Sequence, residues 1–122
     1  MPGLKLLTKL EPQTCLRLAW RAAQDLGFSL QPLEDGATRF TATKGSALMS
    51  VIAGPFAPQC VFEISAAAYA DANEVVLEKN EPWLISGAAG VSKVKRQAED
   101  LMHAIGCAIE KVGGAVLERK EF

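Results

Sequence analysis

The apolar positions of this chain change their spacing several times, and each change marks an element. Cys15, Ala19, Ala22 and Leu26 recur every three or four residues, flanked by Leu16, Trp20 and Ala23, while Gln13, Arg17, Arg21 and Gln24 are polar. That period predicts an amphipathic helix of about four turns. Pro12 suits its first position, where a missing N–H costs nothing, and Gly27 suits a left-handed cap after its last. A second helix is predicted from about Val91, because Val91, Val94, Ala98, Leu101, Ile105, Ala108 and Val112 hold the same spacing up to Gly113-Gly114.

Between the helices the period shortens to two. GLKLLTK (residues 3–9) is short and imperfectly alternating, and reads as a first strand ahead of the first helix. FSLQPL (28–33) and RFTATK (39–44) read as strands separated by a turn at Asp35-Gly36. EVVLEK (74–79) reads as another, after a turn in YADAN. AVLERKEF at the end reads as a short edge strand or a frayed tail. From Ser46 to Phe62 no residue is charged. The run is shorter than the roughly 20 apolar residues a spanning helix needs, and Gly54, Pro55 and Pro58 within it form a turn signal. It is therefore expected to be a hairpin of ALMSVIA (47–53) and QCVFEISAAA (59–68), buried on one face.

Consecutive strands without crossover helices predict an α+β domain of order β-α-β(4–5)-α covering residues 1–122. A curved antiparallel sheet would pack on a long C-terminal helix and a shorter N-terminal one. The chain's 122 residues suit one core. With 13 basic and 14 acidic side chains it lacks the basic excess that duplex binding exploits, so nucleic acid is not an expected partner, nor is a membrane span. The three cysteines (Cys15, Cys60 and Cys107) are far apart and form no C-x-x-C pair, which predicts free thiols. With no signal-like N-terminal segment, the expected location is cytoplasmic.

This order of elements resembles one repeat of the TATA-binding-protein-like fold and the smaller members of the helix-grip group. It also resembles small bacterial domains of the same layout. The resemblance lies in element order over nearly the whole chain, and no motif carries a residue across. In the helix-grip group an apolar ligand often occupies the space between sheet and long helix. The resemblance therefore implies an apolar ligand there. The expected function is a non-enzymatic domain that binds an apolar or lipid-like small molecule between sheet and long helix, or forms a homodimer through its apolar sheet region. The alternatives are an anion-binding module or small enzyme at the start of the second helix, and a purely structural dimerisation domain. Met49, Val51, Phe56, Trp83, Leu101 and Ile105 are the residues expected to line such a pocket.

Other constellations offer rival chemistry. SGAAGVSKVK places Ser86, Gly87, Gly90, Ser92 and Lys93 around the start of the second helix, where unpaired N–H groups attract a phosphate or carboxylate. It lacks the G-K-[ST] of a P-loop, and an ordinary lead-in capped by Ser92 is the competing reading. Glu99, His103 and Cys107 follow one another at single-turn spacing, which suits metal ligands or a Cys–His pair only if all turn the same way. Glu63 stands alone on an apolar strand, and alternation points it to the solvent side. Trp20 and Phe28 are expected in the core. Trp83 reads as a lid on the core or as the mouth of a cavity. No motif implies a cofactor or a metal.

Overall fold

The computed structural model describes residues 3–44, 60–79 and 87–121. Eight elements follow in order: β1 (Gly3–Thr8), α1 (Pro12–Asp25), β2 (Ser29–Leu30), β3 (Arg39–Lys44), β4 (Cys60–Tyr69), β5 (Ala72–Lys79), α2 (Gly87–Lys111) and β6 (Val116–Glu121). The six strands form one curved antiparallel sheet of order β2-β3-β4-β5-β1-β6. The fold is α+β, as the element pattern predicts. Residues 47–53 and the turn expected at 54–58 lie outside the described residues.

Both helices lie side by side on one face of the sheet. That face is built from Leu6 of β1, Ala42 of β3, Phe62, Ile64 and Ala66 of β4, and Val75 and Leu77 of β5, all buried. Register places Ala42 opposite Phe62, Ile64 opposite Leu77, and Ala66 opposite Val75, so the apolar side chains of neighbouring strands form one continuous floor. The α1 face set against it carries Cys15, Ala19, Ala22 and Ala23, and α2 contributes Val94, Ala98, Leu101, Ile105 and Ile109. Leu16 of α1 is buried beside these small residues, and large buried side chains come from both helices and from β1, β4 and β5.

Both helices end in the same way. Gly27 has φ +90°, its N–H reaches the Gln24 carbonyl at 3.0 Å, and the Phe28 N–H reaches the Ala23 carbonyl at 3.0 Å. Gly113, at φ +88°, repeats the arrangement: its N–H bonds Glu110, and the Gly114 N–H bonds Ile109 at 2.9 Å. These are Schellman motifs, which satisfy carbonyls that a helix end leaves without partners. Lys44 adds a side-chain cap to α1, donating from Nζ to the Leu26 carbonyl at 2.9 Å. Its ammonium also lies 5.3 Å from the centre of the Phe28 ring.

Several sequence expectations shift. α2 starts at Gly87 rather than Val91, so Ser92 stands inside the helix and not at its cap. Extending an existing helix needs no new nucleus, and Ala88 and Ala89 are strong helix formers that offset the cost of Gly87 and Gly90. The apolar stripe also drifts at its end, where Ile109 is buried, Ala108 is half-buried and Val112 is 54% exposed. Val112 follows Lys111, the last residue of α2, so it lies in the turn after the helix and not on its sheet-facing stripe. FSLQPL contributes only the two residues of β2. Pro32 has no N–H for the ladder, and the Gln31 carbonyl is taken by the Trp20 indole at 2.9 Å. Trp20 is accordingly half-buried on the flank of α1 instead of in the core, while Phe28 is buried as expected. β6 is a formed edge strand paired to β1.

Candidate functional site

Among the described residues, β2 covers only part of the outer side of β3. β2 pairs only with Ala42 and Thr43. Ala66 N–H donates to the Thr38 carbonyl at 3.1 Å, so in an alternating strand the main-chain groups of Phe40, Ala42 and Lys44 face β4. Those of Arg39 and Thr41 therefore face away from β4, past the Leu30–Ala42 pair at which β2 ends. The chain from Gln31 to Ala37 forms a strap that loops past this edge. It is held by the Trp20–Gln31 bond, by Gln13 Nε2 donating to the Ala37 carbonyl at 2.9 Å, and by a turn in which the Ala37 N–H reaches Glu34 at 3.1 Å.

Between the strap and β3 lies a groove of about 750 Å³. Leu30, Leu33, Ala37 and Phe40 give it apolar walls, and Ser29, Thr41 and Thr43 give hydroxyls. Arg39 stands at the rim, where its guanidinium is paired with Glu63 Oε1 at 2.9 Å. Glu63 thus points to the face away from the helices, as alternation predicts. On the α1 side of the same strap a second groove of about 530 Å³ is bounded by Arg17, Leu18, Trp20 and Arg21 opposite Pro32 and Leu33. The strap is therefore a shared wall between two concavities of ligand size.

A third groove, of about 360 Å³, lies between α2 and the β6–β1 edge. Glu99, Met102 and His103 come from the helix, and Lys5, Arg119 and Lys120 from the strands. Just beyond it, Cys107 Sγ is 3.6 Å from His103 Nε2, and both residues are exposed. Among the described residues no three His, Cys, Asp or Glu side chains converge as metal ligands, so Glu99, His103 and Cys107 do not form a metal triad. Cys15 differs in every respect from Cys107. It is wholly buried, its Sγ donates to the Leu10 carbonyl at 3.5 Å, and burial pushes its thiol up to about 11.

Leu101 and Ile105, expected to line a pocket, are 0% exposed and belong to the packed core, and neither borders any of the three grooves. Met49, Val51, Phe56, Trp83 and Ser86 lie outside the described residues. Gly87, Gly90, Ser92 and Lys93 fall within α2 by backbone, and their side chains lie outside the description. The sequence reading missed the strap. Its signal was the pairing of Pro32 with Asp35-Gly36, which marked a break between strands without indicating a groove. Gly36, at φ +80°, makes the bend.

No protein-family model matches this chain, and no curated protein matches it. Among the described residues no helix is long and apolar enough to cross a membrane.

Proposed function

We propose that this domain is a non-catalytic binding module whose ligand is a small molecule with an apolar body and a few hydrogen-bonding groups. The site is the groove between the β3 edge and the 31–37 strap. One observation carries the reading: the groove of about 750 Å³ combines walls of Leu30, Leu33 and Phe40 with the hydroxyls of Thr41 and Thr43. The lining is mixed, since Gln31, Glu34 and Arg39 stand among the same walls, and it suits a ligand that carries several hydrogen-bonding groups beside its apolar body. The likeness of element order to the helix-grip group supports the ligand class, but the location differs: Leu101 and Ile105 are packed against the sheet, so the ligand is placed at the sheet edge.

The test is a thermal-shift and native-mass screen of aromatic and aliphatic amphiphiles against the wild type and Leu33→Asp, which puts a charge on the groove wall. A ligand present at 100 times its Kd stabilises the native state by about 2.7 kcal/mol. The proposal expects hits whose stabilisation disappears in Leu33→Asp. Hits of unchanged strength in that variant would refute the location, and a screen without hits would refute the ligand class.

A second reading, homodimerisation, has its own observation. Val112 at the end of α2 and Leu117 on the edge strand β6 are 54% and 52% exposed. An edge strand with an exposed apolar side chain is a surface for strand pairing between copies. Sedimentation across a hundredfold concentration range, repeated with Leu117→Lys, separates this reading from the first.

A further inference from the structure

We infer that two copies of this chain join through β6 in one antiparallel register, with the two-fold axis at Arg119 and both six-stranded sheets continued as one. This arrangement rests on the reading of β6 as a surface for strand pairing, and it adds what selects the register.

The direction of the main-chain groups on β6 follows from one hydrogen bond and the strand registers. The Ala66 N–H reaches the Thr38 carbonyl at 3.1 Å, which makes these two residues a hydrogen-bonded pair and turns the groups of Ser65 toward β5. Ser65 opposes Val76, Val75 opposes Leu6, and Lys5 opposes Lys120. Alternation at each step turns the groups of Glu118 and Lys120 toward β1 and those of Arg119 and Glu121 away from it. Among the described residues β6 is the last strand on this side of the sheet, and residues 117–121 are exposed. Leu6 is buried beneath the helices, so its partner Arg119 and then Glu121 stand on the helix-facing side, with Glu118 and Lys120 on the other.

Charge selects the register. Charged side chains ordinarily keep an edge strand from pairing. The run Glu118-Arg119-Lys120, however, complements itself when reversed about Arg119. Glu118 of each copy then stands opposite Lys120 of the other, at non-hydrogen-bonded positions where side chains approach closest, and the symmetry makes the pair twice. Within one chain these two side chains lie 3.2 Å apart and are exposed, so the junction closes a ring of four alternating charges. The two Arg119 residues face each other at the axis, but each guanidinium is drawn back toward α2, 3.7 Å from Glu110 and against Gly106. An axis at Glu118 would set that residue against its own copy, and one at Lys120 would set lysine against lysine, each at closest approach.

Glu118→Lys and Lys120→Glu test the arrangement, because both are exposed strand positions. Sedimentation at low ionic strength compares the wild type, each variant, the double variant and an equimolar mixture of the two single variants, with circular dichroism confirming that each is folded. A wild-type dimer is expected whose Kd rises about tenfold in each single variant, where like charges meet twice. The double variant should return to the wild-type Kd, and the mixture should associate more tightly than either variant alone. Dimers indifferent to the single reversals, or a mixture no tighter than its components, would overturn the register while leaving strand pairing through β6 intact. A wild type that stays monomeric at every concentration would overturn both.

Discussion

The indole N–H of Trp20 donates to the carbonyl of Gln31 at 2.9 Å, tying the outer flank of α1 to the first residue of the strap. This single bond stands where a third β2 ladder position would otherwise begin. It sets how far the strap stands from β3, and with that the width of the groove. Trp20→Phe keeps a ring on the helix flank and removes the donor. The expected result is a stability loss of about 1 kcal/mol in urea melts, with faster amide exchange in residues 31–37 than in β4. Unchanged exchange in the strap would show that other contacts hold it.

Leu101 and Ile105 fill the core and do not line the groove. Leu101→Ala and Ile105→Ala should each cost about 2–5 kcal/mol in chemical denaturation, because they leave cavities at fully buried positions. Below the unfolding transition, ligand affinity at the strap should stay within about threefold of wild type, as expected of sites without shared contacts. A large loss of affinity in folded Ile105→Ala would move the site back beneath α2.

The two glycine turns separate steric clash from backbone strain. A Cβ on Gly114 would lie 2.7 Å from Ile109 Cγ2 and 3.0 Å from the Ile109 carbonyl oxygen, whereas one on Gly36 would meet nothing within 4 Å. Gly36→Ala should therefore cost only the left-handed backbone penalty, about 1–2 kcal/mol. Gly114→Ala should cost about 1–3 kcal/mol from overpacking and should also weaken the pairing of β6, whose strand begins two residues later. Thermal melts combined with amide protection of β6 distinguish the two.

Cys15 gives a pH dependence of definite sign. Desolvation by burial raises its thiol from 9.0 to about 11, so between these values the folded chain retains a proton that the unfolded chain has lost. The contribution of the neutral thiol to stability is complete below pH 9.0 and is lost as pH rises toward about 11. Denaturation midpoints of the wild type should therefore fall more steeply over that interval than those of Cys15→Ala. Parallel profiles would contradict the burial argument.

Much of the fold is legible in the spacing of apolar residues because one buried face imposes a single period on each element. RFTATK became β3 with the bounds its alternation marks, and Gly27 and Gly113 cap the helices as their positions imply. The pattern failed where a non-local bond outweighed local preference. Leu33 fits a strand pattern, yet Pro32 and the Trp20 indole carry that stretch off the sheet. Val112 fits the helical stripe, yet α2 ends one residue earlier, at Lys111. The groove was not legible because it arises from a strand that stops short, and no local pattern encodes the gap. The Cys107–His103 contact was legible as spacing alone. Whether the two side chains approach depends on their rotamers, which sequence does not specify.

The most direct test of the account is a ¹H–¹⁵N shift-perturbation map of the isotope-labelled protein with the strongest ligand from the screen. The account predicts perturbations concentrated at Leu30, Leu33, Ala37, Phe40 and Thr41, on both walls of the strap groove. Perturbations centred on Leu101 and Ile105, with the strap silent, would contradict it.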